Sequence, residues 1–407
     1  MQVNKHIAKQ PIVFFLGAGS SVPLGMPTTL GFRRVLLNRS RKDEKRLINA
    51  LYSSAAYRYR IPEDSINLEE FLEFLHELRL GLWIVSHSRL SKPLSSTFAQ
   101  IPFDSWAEAD LNVNSIRWRV LELLHEVCGD CSGQKVSELW EPILSELQCL
   151  TTVFPIFTLN YDWTFEKLCT VRESRFRLTD GFSSLLGGDW SSNHFARFEP
   201  SQHRIDICLF KLHGSTCWVG GIKSLGSFEG SARRPKYGFE SSESSPFDIV
   251  YPGHRREVWL GDESWSMPGL EGDMSIGWRQ CEPYSILYQY LDECLANTKV
   301  VVVIGYSFHD NDVNARFAKT FRENKRVHFV VIDPGHKWKK KLPDGSKEVW
   351  YEPPYQWSLD FMDLDPEAWN NRLHWIRGKF GTRSSQDRLL ARVKQILKET
   401  ARPSQGQ

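Results

Sequence analysis

Apolar and polar residues fall in blocks along this chain, and the blocks have two sizes. Short runs rich in branched and aromatic residues recur at Pro11-Ile-Val-Phe-Phe-Leu16, Val153-Phe-Pro-Ile-Phe-Thr158, Arg204-Ile-Asp-Ile-Cys-Leu-Phe210, Lys299-Val-Val-Val-Val-Ile304 and Val327-His-Phe-Val-Val-Ile332. Continuous runs of this kind predict strands buried on both faces. Longer stretches between them repeat at helical spacing. A helix is expected from Thr28 to about Asn38, and Leu68, Phe71, Leu72, Leu75, Leu78 and Leu82 form an apolar stripe headed by the capping pair Asn67 and Glu70. Val113 to Val127, Val136 to Leu150, Pro283 to Ala296, Asp310 to Phe321 and Gln386 to Thr400 carry similar patterns.

This alternation of strand and helix predicts an α/β fold, a doubly wound, mostly parallel Rossmann-like sheet with a helical insertion and a small loop-rich β subdomain. Residues 1–38 and 151–333 make the sheet domain, and residues 39–150 read as the helical insertion between its first two strands. Thr179 to His203 reads as a polar loop. Residues 216–273 are rich in Gly, Ser, Pro and aromatics, with β-like pieces such as Asp248-Ile-Val-Tyr251, and a loop region this long is usually functional or a subdomain. Residues 334–407 are expected as a C-terminal helical extension.

The chemistry gathers where the predicted strands end. The first opens into Gly17-Ala-Gly-Ser-Ser21, where two glycines let the backbone turn sharply and approach a ligand closely. A helix following directly would aim its N–H groups into the same gap and make an anion site suited to a diphosphate. The chain has Val22 where a dinucleotide fingerprint has its third glycine, and it lacks the Gly-Lys-Ser/Thr of an NTPase loop. Val22-Pro-Leu-Gly-Met-Pro27 makes the continuation a shaped loop. The second strand ends in Asn160-Tyr-Asp162, the third in Lys211-Leu-His213-Gly-Ser215, the fourth in Gly305-Tyr-Ser307 and the fifth in Asp333. Turn and helix-cap chemistry is the plain alternative for Asn160 and Asp162. In a doubly wound sheet such ends converge on one crevice. A glycine turn, an amide, a carboxylate and an imidazole together suit cleavage of a nucleotide bond better than binding alone.

As a set these motifs resemble the sirtuin family. Gly17-Ala-Gly-Ser-Ser21 with Gly25-Met-Pro27 looks like its Gly-Ala-Gly and Gly-Ile-Pro, Thr158-Leu-Asn-Tyr-Asp162 is similar to its Thr-Gln-Asn-Ile-Asp, His213-Gly214 to its His-Gly, and Gly305-Tyr-Ser307 to its Gly-Thr-Ser. Phe308, Asp310 and Asn314, with Lys211, look more like the prokaryotic sirtuin-like NAD hydrolases of antiphage defence. The resemblance implies that Gly17, Ala18, Gly19, Ser20 and Ser21 hold the NAD diphosphate and that Pro27 lies in the loop beside them. Asp162 would face the nicotinamide amide, Gly305 and Ser307 would line the ribose and phosphate side, and Asp333 would bind the adenosine ribose. Asn160 would orient a water at the ribose carbon, and His213 would act as general base. Two departures shape the expectation. Only Cys217, Cys281 and Cys294 follow His213, which excludes the four-cysteine zinc module of the deacylases there, and Thr28-Thr29 stands where that family has Asp-Phe-Arg. The expected activity is therefore NAD glycohydrolysis, with NAD as substrate and no metal. A deacylase or ADP-ribosyl transferase, and a non-catalytic nucleotide sensor, are the alternatives. Residues 334–407 are too short for a separate sensor domain, so activation is expected through a homo-oligomer or a protein partner such as a ring-forming ATPase.

Composition narrows the remaining classes. The 407 residues are 41% hydrophobic, ample for a sizeable core, and 51 Lys plus Arg against 49 Asp plus Glu leave a formal charge of +2. That charge implies neither nucleic acid nor membrane as an obligatory partner. The basic run Lys337-Trp-Lys-Lys-Lys341 reads as a solvated face. The N-terminus lacks the apolar core of a signal peptide, and no window approaches the roughly 18 apolar residues of a span, so a cytoplasmic location is expected. The eight cysteines lack framework spacing and are expected as thiols. Cys128 and Cys131 make the one close pair, with His125 and Cys149 nearby.

Overall fold

The apolar run after Pro11 becomes the middle of a sheet. The computed structural model describes residues 3–87, 106–129, 131–171, 174–185, 187–216, 218–220, 235–237, 283–308, 310–334, 338–341, 348–351 and 371–401. In the first half lie α1 (Lys5–Ala8), β1 (Ile12–Leu16), α2 (Phe32–Arg39), α3 (Lys42–Tyr59), α4 (Leu68–His87), α5 (Trp106–Gly129), α6 (Gly133–Leu147), β2 (Val153–Thr158) and α7 (Thr164–Thr170). Then come β3 (Phe176–Thr179), β4 (Phe182–Ser184), β5 (Gly187–Trp190), α8 (Ser192–Ala196), β6 (Ile205–Lys211), β7 (Trp218–Gly220) and β8 (Pro235–Tyr237). The last third holds α9 (Tyr284–Asn297), β9 (Val300–Ile304), α10 (Asn311–Glu323), β10 (His328–Asp333), β11 (Trp338–Lys341), β12 (Glu348–Tyr351), β13 (Leu373–Arg377) and α11 (Arg383–Ala401).

Seven strands form one sheet in the order β13-β10-β9-β1-β2-β6-β3, and every neighbouring pair is parallel. The fold is α/β and Rossmann-like, as the strand pattern predicted. Successive side chains of a strand point to opposite faces, and both faces here are covered. Val13, Phe15, Val301 and Val303 pack with α9 and α10 through Leu291, Leu295, Phe317 and Phe321. Ile12, Phe14, Val302 and Ile304 pack with α6 and α11 through Trp140, Ile143, Val393 and Ile396. Burying one such side chain contributes roughly 1.5–3 kcal/mol, so these stripes, more than helix propensity, hold the helices in place.

The chain runs from β1 outward through β2 and β6, then returns to the other side of β1 to lay down β9 and β10. That reversal is the point at which open α/β sheets place their ligands. Here it lies between the carboxyl ends of β1 and β9.

Several boundaries differ from the sequence expectation. The helix expected from Thr28 begins at Phe32, because Thr28 closes a turn in which its Oγ1 accepts from Gly31 N at 3.0 Å. The stretch Thr179 to His203, expected as a loop, contains β4, β5 and α8, and β4-β5-β8-β7 forms a second, four-stranded sheet. Asp248–Tyr251 and Lys337 lie outside the described residues. Within 39–150, α6 packs on the main sheet, whereas α2 to α5 enclose their own core around Leu36, Tyr52, Phe71, Leu75, Val120 and Leu124. The C-terminal segment supplies an edge strand, β13, as well as a helix.

Candidate functional site

At the reversal point the glycines of two strand ends meet backbone to backbone. Gly17 N donates to Ile304 O at 3.0 Å and Gly19 N to Gly305 O at 2.9 Å. A Cβ on Gly17 would sit 2.6 Å from Gly305 O, and one on Gly305 would sit 2.3 Å from the Gly19 carbonyl carbon. Gly305 also has φ +62°, which disfavours any other residue. These glycines therefore serve the close approach of β1 and β9. Gly17 does not lead into the α-helix of a dinucleotide turn. Two 3₁₀ turns, Ala18–Ser20 and Val22–Leu24, carry the chain to Gly25 in the left-handed region. The Ser20 and Ser21 amides bond back to Gly17 O and Ala18 O, so the anion site formed by an α-helix N-terminus is absent here.

Asn160 and Asp162 are both buried and both reach this turn. Asn160 Nδ2 lies 3.0 Å from Gly17 O, Ser20 Oγ and Ser21 Oγ. Ser21 Oγ donates to Asp162 Oδ2 at 2.6 Å, and Thr164 N donates to Asp162 Oδ1 at 3.0 Å at the start of α7. The cap-and-turn alternative thus describes Asp162 as it stands. Below it, Lys211 at the end of β6 is paired with Glu166 of α7 at 2.8 Å, and the two side chains are 3% and 1% exposed. Lys211 Nζ also donates to Asp162 O and to Ser215 Oγ. Burial pushes the Glu166 carboxyl upward, against the pull of Lys211. A cavity of about 10 Å³, one water in size, lies among Ser20, Asn160, Asp162, Glu166 and Lys211. The floor is solid.

His213, at the end of β6, is buried and held from both sides. Its Nε2 lies 3.0 Å from Asp310 Oδ2, and its Nδ1 3.4 Å from Glu69 Oε1. Burial opposes a charge on the ring, but the hydrogen bonds and charges of Asp310 and Glu69 outweigh it and raise the pKa from 6.5 to about 9. Asp310 caps α10, its Oδ1 accepting from Asp312 N at 2.9 Å and Val313 N at 3.2 Å. Asn314 Nδ2 donates to Phe308 O at 2.7 Å, and Phe308 takes a positive φ of 58°, a strained conformation that these bonds hold. Glu69 comes from α4, and its other partner is the Tyr161 hydroxyl at 2.8 Å.

The structure thus brings Gly17, Gly19, Ser20, Ser21, Asn160, Asp162 and Gly305 into direct contact, with His213 one strand further along. Ser307 is exposed beside Gly305, and Asp333 ends β10 on its far side. Ala18 opens the first 3₁₀ turn, and Pro27 is half-buried in the loop before α2. Five adjacent parallel ends, β10, β9, β1, β2 and β6, form a row about 19 Å long at ~4.8 Å per strand. Sequence reasoning missed Glu69 and Glu166 as site residues, because both sit in helices where only the apolar spacing was informative. Cys128 and Cys131 are not joined in a disulfide and are buried in different cores, and among the described residues no group of three or more His, Cys, Asp or Glu is placed to hold a metal ion.

No protein-family model matches the sequence, and no curated protein matches it. Among solved structures, the chain is similar to Sir2 homologues. A Sir2 homologue mutant in complex with ADP-ribose is 14% identical, with 98% of this chain and 98% of that chain covered and a TM-score of 0.37. A Sir2 homolog–NAD complex is 14% identical, with 97% of this chain and 93% of that chain covered and a TM-score of 0.36. The strand order, not this likeness, defines the fold.

Proposed function

We propose that this chain binds NAD along the carboxyl ends of β10, β9, β1, β2 and β6 and hydrolyses the nicotinamide–ribose bond. The observation that carries the reading is the buried imidazole of His213, gripped by carboxylates in the same row as the Gly17–Ser21 turn and Gly305. In this reading the turn and Gly305 approach the diphosphate closely, Ser307 hydrogen-bonds the ribose side, and Asp333 receives the adenosine ribose hydroxyls. Asn160 keeps its amide on the turn and offers Oδ1 to a water at the ribose carbon. His213 takes a proton from a ribose hydroxyl. Nicotinamide leaves as a neutral group, so the oxocarbenium-like centre needs chiefly positioning, nearby negative charge and one base. Asp162, fixed by Ser21 and the α7 amide, supplies that charge on the nicotinamide side.

In keeping with the motif resemblance, the proposed setting is antiphage defence by NAD depletion, released by self-assembly or a protein partner. The engagement of Asn160 and Asp162 with the turn favours a second reading, a nucleotide sensor without chemistry. The test is incubation of the full chain with NAD, with and without an acyl-lysine peptide, followed by separation of products. Equal amounts of nicotinamide and ADP-ribose without peptide are expected, and Asn160→Ala should lower their formation by about 100-fold. Consumption only when peptide is present would point to a deacylase. Bound but intact NAD in every oligomeric state would point to the sensor.

A further inference from the structure

The two carboxylates on His213 are not equivalent. Asp310 is fixed by the α10 amides and by the fold around β9, with its side chain 3% exposed. Glu69 is 16% exposed, sits at the longer distance, and belongs to the helices of the insertion, whose core is separate from those on the sheet faces. Among the described residues, contacts tying that insertion to the site include Lys167 Nζ donating to Gly129 O and the His125 ring edge-on to Trp163. Leu68 N also donates to Thr29 O at 3.1 Å, Tyr161 lies in the insertion core with its hydroxyl on Glu69, and His125 Nδ1 lies 3.0 Å from Thr216 O. A neutral imidazole has one N–H, so it can donate to only one carboxylate, and serving both requires the imidazolium. An imidazolium has no lone pair with which to accept a proton.

We propose that Asp310 is the positioning residue that orients His213 through Nε2, and that Glu69 is a gate whose departure from Nδ1 converts His213 from a cation into a base. The proposal rests on the NAD-cleaving reading of the site. When a shift of the insertion carries Glu69 away, the Nδ1 proton passes to solvent, a lone pair remains on Nδ1, and the Nε2 proton stays on Asp310. The ring can then accept one proton from a ribose hydroxyl and release it to solvent, in balance with NAD and water giving nicotinamide, ADP-ribose and a proton. Among the described residues, the titratable groups placed against the ring include Glu69 and Tyr161 from one side, and Asp310 with the Tyr306 hydroxyl on its carbonyl from the other. A helix shift of about 1–2 Å suffices for such a change. The insertion thereby becomes the handle on which assembly or a partner acts.

The test pairs a titration with a rate. In the full chain with ¹³Cε1-labelled histidine, the His213 resonance, assigned by His213→Gln, should titrate at least one pH unit lower in Glu69→Gln than in the wild type. With NAD at pH 7, Glu69→Gln should raise basal nicotinamide release by about 10-fold, whereas Asp310→Asn should lower kcat by about 10–100-fold with little change in KM. An unmoved His213 titration in Glu69→Gln, or a lowered rate, overturns the gate. Intact NAD in every variant together with the shifted titration overturns the NAD reading and the base, and leaves Glu69 only as a holder of the ring.

Discussion

Asp310 and Glu69 favour the charged form of His213 in the folded protein, and that preference has a pH window. Its pKa is 6.5 when solvated and about 9 when buried between Asp310 and Glu69, so the folded state binds the proton more tightly. The resulting stability, on the order of 3 kcal/mol, is fully present below pH 6.5 and is lost as pH rises through 9. Melting temperature followed from pH 6 to 10 should fall in the wild type and stay nearly flat in His213→Gln. A wild-type profile as flat as the variant's would remove the ionic clasp from the account. At the reversal point, Gly305→Ala should destabilise by ~3 kcal/mol in urea unfolding, because its Cβ would meet the Gly19–Ser20 backbone at 2.3 Å in a left-handed conformation. Asn160, Asp162 and His213 were legible in the sequence because polar residues ending apolar runs mark a sheet's ligand edge. Glu69 was not, because an apolar stripe reveals which side of a helix is buried in a core and says nothing of where its polar residues reach.

At the scale of elements, β6 and α7 share an apolar core and are also joined by a buried ion pair. Removing one member of the Lys211–Glu166 pair leaves a buried charge, and Lys211→Met should cost about 3–5 kcal/mol. Adding Glu166→Leu should recover most of it, and a double variant no more stable than the single one would contradict the pairing. At the sheet edge, His328 and His374 share a hydrogen bond of 3.0 Å between β10 and β13. Burial and then Arg392 lower the His374 pKa to about 4, and burial and then Arg372 lower that of His328. A depressed histidine stabilises fully above pH 6.5 and loses that contribution as pH falls toward 4. Amide exchange of β13 should therefore speed up between pH 6.5 and 4 beyond the intrinsic rate change, and should do so less in a His374→Gln variant. The central strands were legible because they are continuous apolar runs. β13 was not, since an edge strand with half-buried Leu373, His374 and Trp375, one buried residue, Ile376, and an exposed Arg377 lacks that mark.

For the whole molecule, the division that matters runs between the sheet with its two helical faces and the core of α2 to α5. The chain order of strand and helix was enough to expect the doubly wound sheet, but a helical stripe does not name its partner, so α6 was grouped with the insertion instead of the sheet. Because α2 to α5 enclose a core of their own and the described contacts that join it to the sheet gather at Glu69, Tyr161, His125 and Gly129, native-state exchange should show α3 to α5 opening as one unit without the sheet. A single cooperative opening of both would contradict it. The central claim is that His213 acts on NAD. The most direct measurement is nicotinamide release from NAD by an excess of the 407-residue chain, comparing wild type with His213→Ala at pH 7 and at pH 9. Release in the wild type is expected to rise toward pH 9, as His213 loses its second proton, and to fall by about 100-fold or more in His213→Ala. Equal release by the two proteins at both pH values would contradict the claim.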